Sequence, residues 1–184
     1  MLTGVKRTIL VLSGKGGVGK STVASQLAFA FQQNGEKVGI LDIDLCGPSI
    51  PKMFGVEKME VHQCDEGWLP VFTDNSQTMA IMSIAFLLSS DEDAVVWRGP
   101  MIASGLKQML FDVKWSELDY LVIDLPPGTS DVSMTLAQDV MLSGVIIATT
   151  PQEVSLEDAR KAVAMFCLLY TSPSPRDQRG SRMP

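Results

Sequence analysis

A chain of 184 residues suits one domain, because a single hydrophobic core serves up to about 250 residues. Apolar residues make up 46% and charged residues 20%, which excludes wholesale disorder. A net charge of -6 excludes a general electrostatic pull toward nucleic acid or anionic lipid, so any anion must be held by a local site.

The first apolar run, RTILVLSG (7–14), is short and β-branched and ends in glycine, as a buried strand does. KSTVASQLAFAFQQNG (20–35) places Val23, Leu27, Ala30 and Phe31 at helical spacing, and Asn34-Gly35 marks its end. KVGILDID (37–44) reads as a second buried strand closing on two aspartates. The Gly-, Pro- and Met-rich stretch 45–61 predicts a loop with a short helix, and GWLPVFT and MAIMSI are two further strand candidates. GPMIASGLKQMLFDV (99–113) predicts a helix. LDYLVIDLPPGTSD (118–131) predicts a strand running into a Pro-Gly turn, and SGVIIATTP (143–151) another strand. SLEDARKAVAMFCLLY (155–170) predicts a helix opened by a capping box of Ser155 and Asp158. Buried strands alternating with helices imply an α/β fold with a doubly wound, mainly parallel sheet covered on both faces.

The last residues, TSPSPRDQRGSRMP (171–184), break this rhythm with Pro, Ser and Arg. Their composition predicts a disordered tail, and we expect the native sequence to stop near Phe166–Tyr170, with the remainder foreign. The expected organisation is a domain over 1–170 that lacks its C-terminal part, followed by this tail. Three cysteines, Cys46, Cys64 and Cys167, form no C-x-x-C pair and cannot all pair with one another, which suits a reducing compartment. No signal peptide precedes the first apolar run, and MAIMSIAFLL (79–88) is far short of the ~20 residues that span a bilayer. A soluble, cytoplasmic protein with no membrane or nucleic-acid partner is expected.

Gly14, Gly19, Lys20 and Ser21 match the phosphate-loop pattern G-x-x-x-x-G-K-[ST], with a strand before and a helix after, as the loop requires. Its glycines let backbone N–H groups turn inward toward phosphate oxygens, and the helix start adds its positive dipole end. The candidate nucleotide-binding residues are Gly14, Lys15, Gly16, Gly17, Val18, Gly19, Lys20, Ser21 and Thr22. Lys20 can reach the β- and γ-phosphates, and the Ser21 hydroxyl can ligate Mg²⁺. A second magnesium anchor should be an acid at the end of a neighbouring buried strand, and Asp124 in YLVIDLPPG fits. Asp42 and Asp44 end the second strand, which is expected beside the first in a doubly wound sheet and so near the phosphates. Asp44, on the loop side, is the candidate for orienting the attacking water, and Asp42 is assigned to the magnesium shell.

A lysine directly after the first motif glycine resembles the deviant Walker A loop of the MinD/ParA/nitrogenase-iron-protein class. Within that class, LDIDLCGPSIPKMFG (41–55), VVWRGP (95–100), DYLVIDLPPGTSD (119–131) and TTPQEVSLEDARKA (149–162) resemble the Mrp-type ATPases, over about residues 4–167. Those are cytosolic nucleotide-binding proteins that carry or scaffold iron–sulfur clusters. The resemblance implies Mg-ATP as ligand, a homodimer or paralog heterodimer, and apo iron–sulfur proteins as clients. It implies that Lys15 crosses to the partner's nucleotide while Lys20 serves its own subunit, giving Lys15, Lys20 and Asp44 catalytic roles. It also implies that Asp44 lies in a first switch and Asp124 heads a second.

The family's 4Fe-4S cluster is bound by a C-x-x-C that this chain lacks, as it lacks the strand expected to help hold the adenine, so no Fe–S ligand is assigned here. Cys46, Cys64 and Cys167 are read as ordinary cysteines, His62 as structural, and Met79, Met82 and Met109 as core fillers. WRGP (97–100) is read equally as a structural turn or part of a dimer surface, and its Arg98 is a candidate partner for a switch carboxylate. The leading function is a slow Mg-ATPase for iron–sulfur cluster assembly. The alternatives are a positioning or partition ATPase that switches on membrane or DNA, and a nucleotide-gated adaptor that does not hydrolyse.

Overall fold

The computed structural model describes residue 2 and residues 4–45, 47–65, 67–87, 108–128 and 131–171. Within them the chain forms β1 (Val5–Ser13), α1 (Lys20–Gln33), β2 (Val38–Asp42), α2 (Ile50–Met53), β3 (His62–Cys64), β4 (Gly67–Leu69), β5 (Val71–Phe72), β6 (Met79–Ser83), a 3-10 turn (Ile84–Leu87), β7 (Leu118–Asp124), α3 (Asp131–Asp139), β8 (Gly144–Ala148) and α4 (Glu153–Thr171).

Six strands make one sheet in the order β5-β6-β2-β7-β1-β8. Every neighbouring pair from β6 to β8 is parallel, and only β5 runs antiparallel at its edge. The pleat sends alternate side chains to opposite faces. Leu10, Leu12, Leu41, Ile123 and Met82 therefore join one core, while Val11, Ile40, Val122 and Ile81 join the other. Ala24 and Ala28 of α1 seal the second face. Leu136 and Val140, at the end of α3, and Ala162 and Phe166 of α4 seal the first. This two-sided burial is why the central strands read as unbroken apolar runs. Met79, Met82 and Met109 are fully buried, as core fillers should be.

The elements differ from expectation in four places. GWLPVFT is two strands, because Pro70 lacks the N–H that a ladder needs. β3 was not anticipated; it pairs antiparallel with β4. α3 was also not anticipated, although Val132 and Leu136 along it, with Val140 just past its end, recur every fourth residue. α4 begins at Glu153, so Ser155 is not its cap: the Ser155 hydroxyl accepts a hydrogen bond from Thr150 Oγ1 at 3.0 Å instead of serving a helix N–H. α4 also runs to Thr171, one residue into the expected tail. The helix expected over 99–113 is seen at 108–111, and its earlier part, with WRGP, Cys46 and residues 172–184, lies outside the described residues.

Candidate functional site

The parallel arrangement brings the C-terminal ends of β1, β2, β6 and β7 to one edge, where ligands of such sheets bind. β1 leads into the glycine-rich loop, and the loop into α1. Gly19 sits at φ 90°, a left-handed conformation that a side chain would resist, and its carbonyl accepts the Val23 N–H at 2.9 Å to start the helix. No cap side chain binds the first turn of α1, and no acidic residue lies in it. Its N–H groups are therefore available to an anion, with the helix dipole behind them. Gly14 is required for a different reason. A Cβ there would lie 2.4 Å from Asp158 Cβ, because α4 packs directly on the start of the loop.

Lys20 is buried, with 7% of its surface exposed. Its Nζ donates to Asp124 Oδ1 at 2.6 Å and to Ser21 Oγ at 3.3 Å, and pairs with Asp44 Oδ2 at 3.2 Å. Four residues named from sequence thus converge on one point. Asp124 is fully buried, and its Oδ2 has no hydrogen-bond partner among the described residues. Burial raises the Asp124 pKa, and the Lys20 ammonium opposes that rise. An unpartnered carboxylate oxygen beside a serine hydroxyl suits Mg²⁺, which takes one or two protein ligands and completes its shell with water and phosphate.

Asp42 lies in register with Asp124 across β2 and β7. Both its oxygens are already engaged by protein donors. Oδ1 accepts the Asp44 N–H at 3.1 Å, and Oδ2 accepts the Ile50 N–H at 3.3 Å and the Ser83 hydroxyl at 3.1 Å. Burial, with the nearby Asp124 charge adding to it, pushes the Asp42 pKa up to about 7. A carboxyl that holds its proton more tightly when folded favours the folded state most at low pH. That contribution falls as pH rises from the ordinary value of 3.8 toward about 7. We expect the melting temperature of the nucleotide-free protein to fall between pH 5.5 and 8, and Asp42→Asn to flatten that slope; an equal slope in the variant would assign it elsewhere. Asp74 and Asp119 act in the opposite sense, with lowered pKa values, and lose their contributions only below the ordinary carboxylate range.

The remaining loop residues are placed less deeply. Lys15, Gly16, Gly17 and Thr22 are exposed, and Val18 and Ser21 are half-buried. Lys15 thus stands on the outer rim while Lys20 points inward. The turn after Asp124 is tied to the loop by the Gly128 N–H, which donates to the Ser13 carbonyl at 2.7 Å. Two polar groups escaped the sequence reading. Ser83 was hidden in an apolar strand, although a lone serine at the same sheet edge as the aspartates was a usable signal. The Ser13 hydroxyl is buried with no partner among the described residues. Cys64 and Cys167 are exposed, on β3 and α4, and no group of three or more metal-ligating His, Cys, Asp or Glu side chains occurs among the described residues.

A glycine-rich turn between strand and helix, at the C-terminal edge of a parallel sheet, with its lysine on a neighbouring strand's aspartate, defines a P-loop NTPase fold. Residues 4–172 match the family model described as the NUBPL iron-transfer P-loop NTPase, of the ParA group, and the chain belongs to this family. It is 59% identical over 170 residues to the cytosolic Fe-S cluster assembly factor Nubp2 homolog of Drosophila sechellia, covering 91% of this chain and 65% of that protein. The Drosophila melanogaster counterpart is 58% identical over the same shares. The chain thus spans just under two-thirds of the length of these relatives. Among solved structures, the nucleotide-binding protein of Archaeoglobus fulgidus in complex with ADP matches with a TM-score of 0.77 and 45% identity, over 92% of this chain and 65% of that one. MinD of Aquifex aeolicus shares the fold, with a TM-score of 0.59 and 18% identity over 89% of this chain and 64% of that one.

Proposed function

We propose that this chain is the nucleotide-binding part of a dimeric, slowly turning Mg-ATPase that assembles iron–sulfur clusters in the cytosol and delivers them to apoproteins. The observation that carries the proposal is the convergence of Lys20, Asp44, Asp124 and Ser21 beneath the loop, with one Asp124 oxygen unpartnered. Ser21 and Asp124 would hold Mg²⁺, which would neutralise charge between the β- and γ-phosphates. The loop N–H groups and Lys20 would bind the phosphates. Asp44 would orient water, and Asp42 would stand behind the shell by fixing Asp44. The exposed position of Lys15 supports a role toward a second subunit's nucleotide. The relatives' names support the cytosol and cluster assembly, and the ADP complex of the Archaeoglobus protein supports the nucleotide.

The cluster is cargo in this reading, and the described cysteines do not form a site for it. The positioning or partition alternative rests on fold likeness alone. Asp44→Ala tests the hydrolytic part. ATP affinity should stay within about 3-fold while phosphate release falls about 10²-fold, the typical weight of a positioned acid–base group. Unchanged phosphate release, measured with a coupled assay, would remove Asp44 from the reaction, and a wild type that releases none would favour the non-hydrolysing adaptor.

A further inference from the structure

Ser83 ends β6, one strand beyond β2, and is completely buried. Its hydroxyl donates to Asp42 Oδ2 at 3.1 Å and accepts the Ala85 N–H at 3.1 Å. Asp42 in turn accepts the N–H of Asp44, which pairs with Lys20, and the N–H of Ile50, which opens α2. A continuous polar path therefore runs from the 3-10 turn after β6 to the lysine of the phosphate loop. A buried carboxylate needs its donors to fix its rotamer, and each charge-assisted bond in a dry site counts for about twice a neutral one.

We propose that Ser83 is a positioning residue: through Asp42 it sets the backbone of Asp44 and the start of α2, and so places Asp44 against the nucleotide. The part concerning turnover rests on the proposed ATPase activity. The part concerning Asp44 and Ile50 does not.

The test compares wild type, Ser83→Ala and Ser83→Thr by amide hydrogen exchange, melting and Mg-ATP turnover. In Ser83→Ala, exchange at the Asp44 and Ile50 amides should speed up about 10-fold, as expected for local opening without global unfolding. kcat should fall about 10-fold with KM within 2-fold, in keeping with the loss of one hydrogen bond to a charged group. Ser83→Thr, which keeps the hydroxyl, should restore both. Unchanged exchange at Asp44 and Ile50 would overturn the proposal. So would faster exchange confined to 84–87, which would make Ser83 only a cap for that turn. A uniform rise in exchange with a lower melting temperature would make it only a packing residue. A wild type without turnover would sink the ATPase reading, while the exchange comparison would still decide Ser83.

Discussion

Lys20→Ala should weaken ATP binding about 100-fold or more and leave no measurable turnover, since it removes charge-assisted bonds to the phosphates. It should also destabilise the protein before any nucleotide is added. Lys20 is ion-paired with both Asp124 and Asp44. Removing one partner of a buried pair costs about 3–5 kcal/mol, because the other charge stays behind without compensation. Asp124, with its pKa already raised by burial, will then take up a proton more readily. The stability deficit should therefore be larger at pH 8 than at pH 6. Denaturant titrations at the two pH values, together with ATP calorimetry, check both halves. Normal stability at pH 8 would mean that the Lys20 pairings contribute nothing in solution.

Lys15→Ala should do the opposite to the ground state. Lys15 is exposed, so its loss should leave melting unchanged and ATP affinity within about 3-fold. Turnover should nevertheless fall about 10³-fold if the lysine supplies charge to a partner's transition state, as an arginine finger does. If ATP affinity falls as steeply for Lys15→Ala as for Lys20→Ala, Lys15 serves its own loop and the shared-site reading fails.

The motif residues were legible because their spacing is dictated by phosphate geometry. Asp124 was legible because an acid closing an apolar strand has few other reasons to be there. The second strand was expected beside the first, but β7 lies between them and sets Asp42 beside Asp124, and which of the Asp42 oxygens were engaged was not readable. That depends on Ser83 and Ile50, which meet Asp42 only once β6 lies against β2. α3 went unseen because Val132, Leu136 and Val140 make a narrow stripe next to a Pro-Gly turn. The capping box at Ser155 failed because a favourable local pattern was outbid by a contact with Thr150 across the preceding turn. Local chemistry was readable wherever it was self-contained; it was not readable where a distant strand completed it.

The double pairing of Lys20 also bears on the order in which ligands arrive. One ammonium faces two carboxylates, with a third, Asp42, ionising near neutrality. The Lys20 charge is thus already engaged at rest. On the proposed function, a bare polyphosphate approaching the loop would meet counter-charge already spent, whereas a metal-bound nucleotide would bring its own cation to the unpartnered Asp124 oxygen and leave Lys20 to the phosphates. Such a site would discriminate against inorganic phosphate and sulfate, and its occupancy should track free magnesium more steeply than ionic strength.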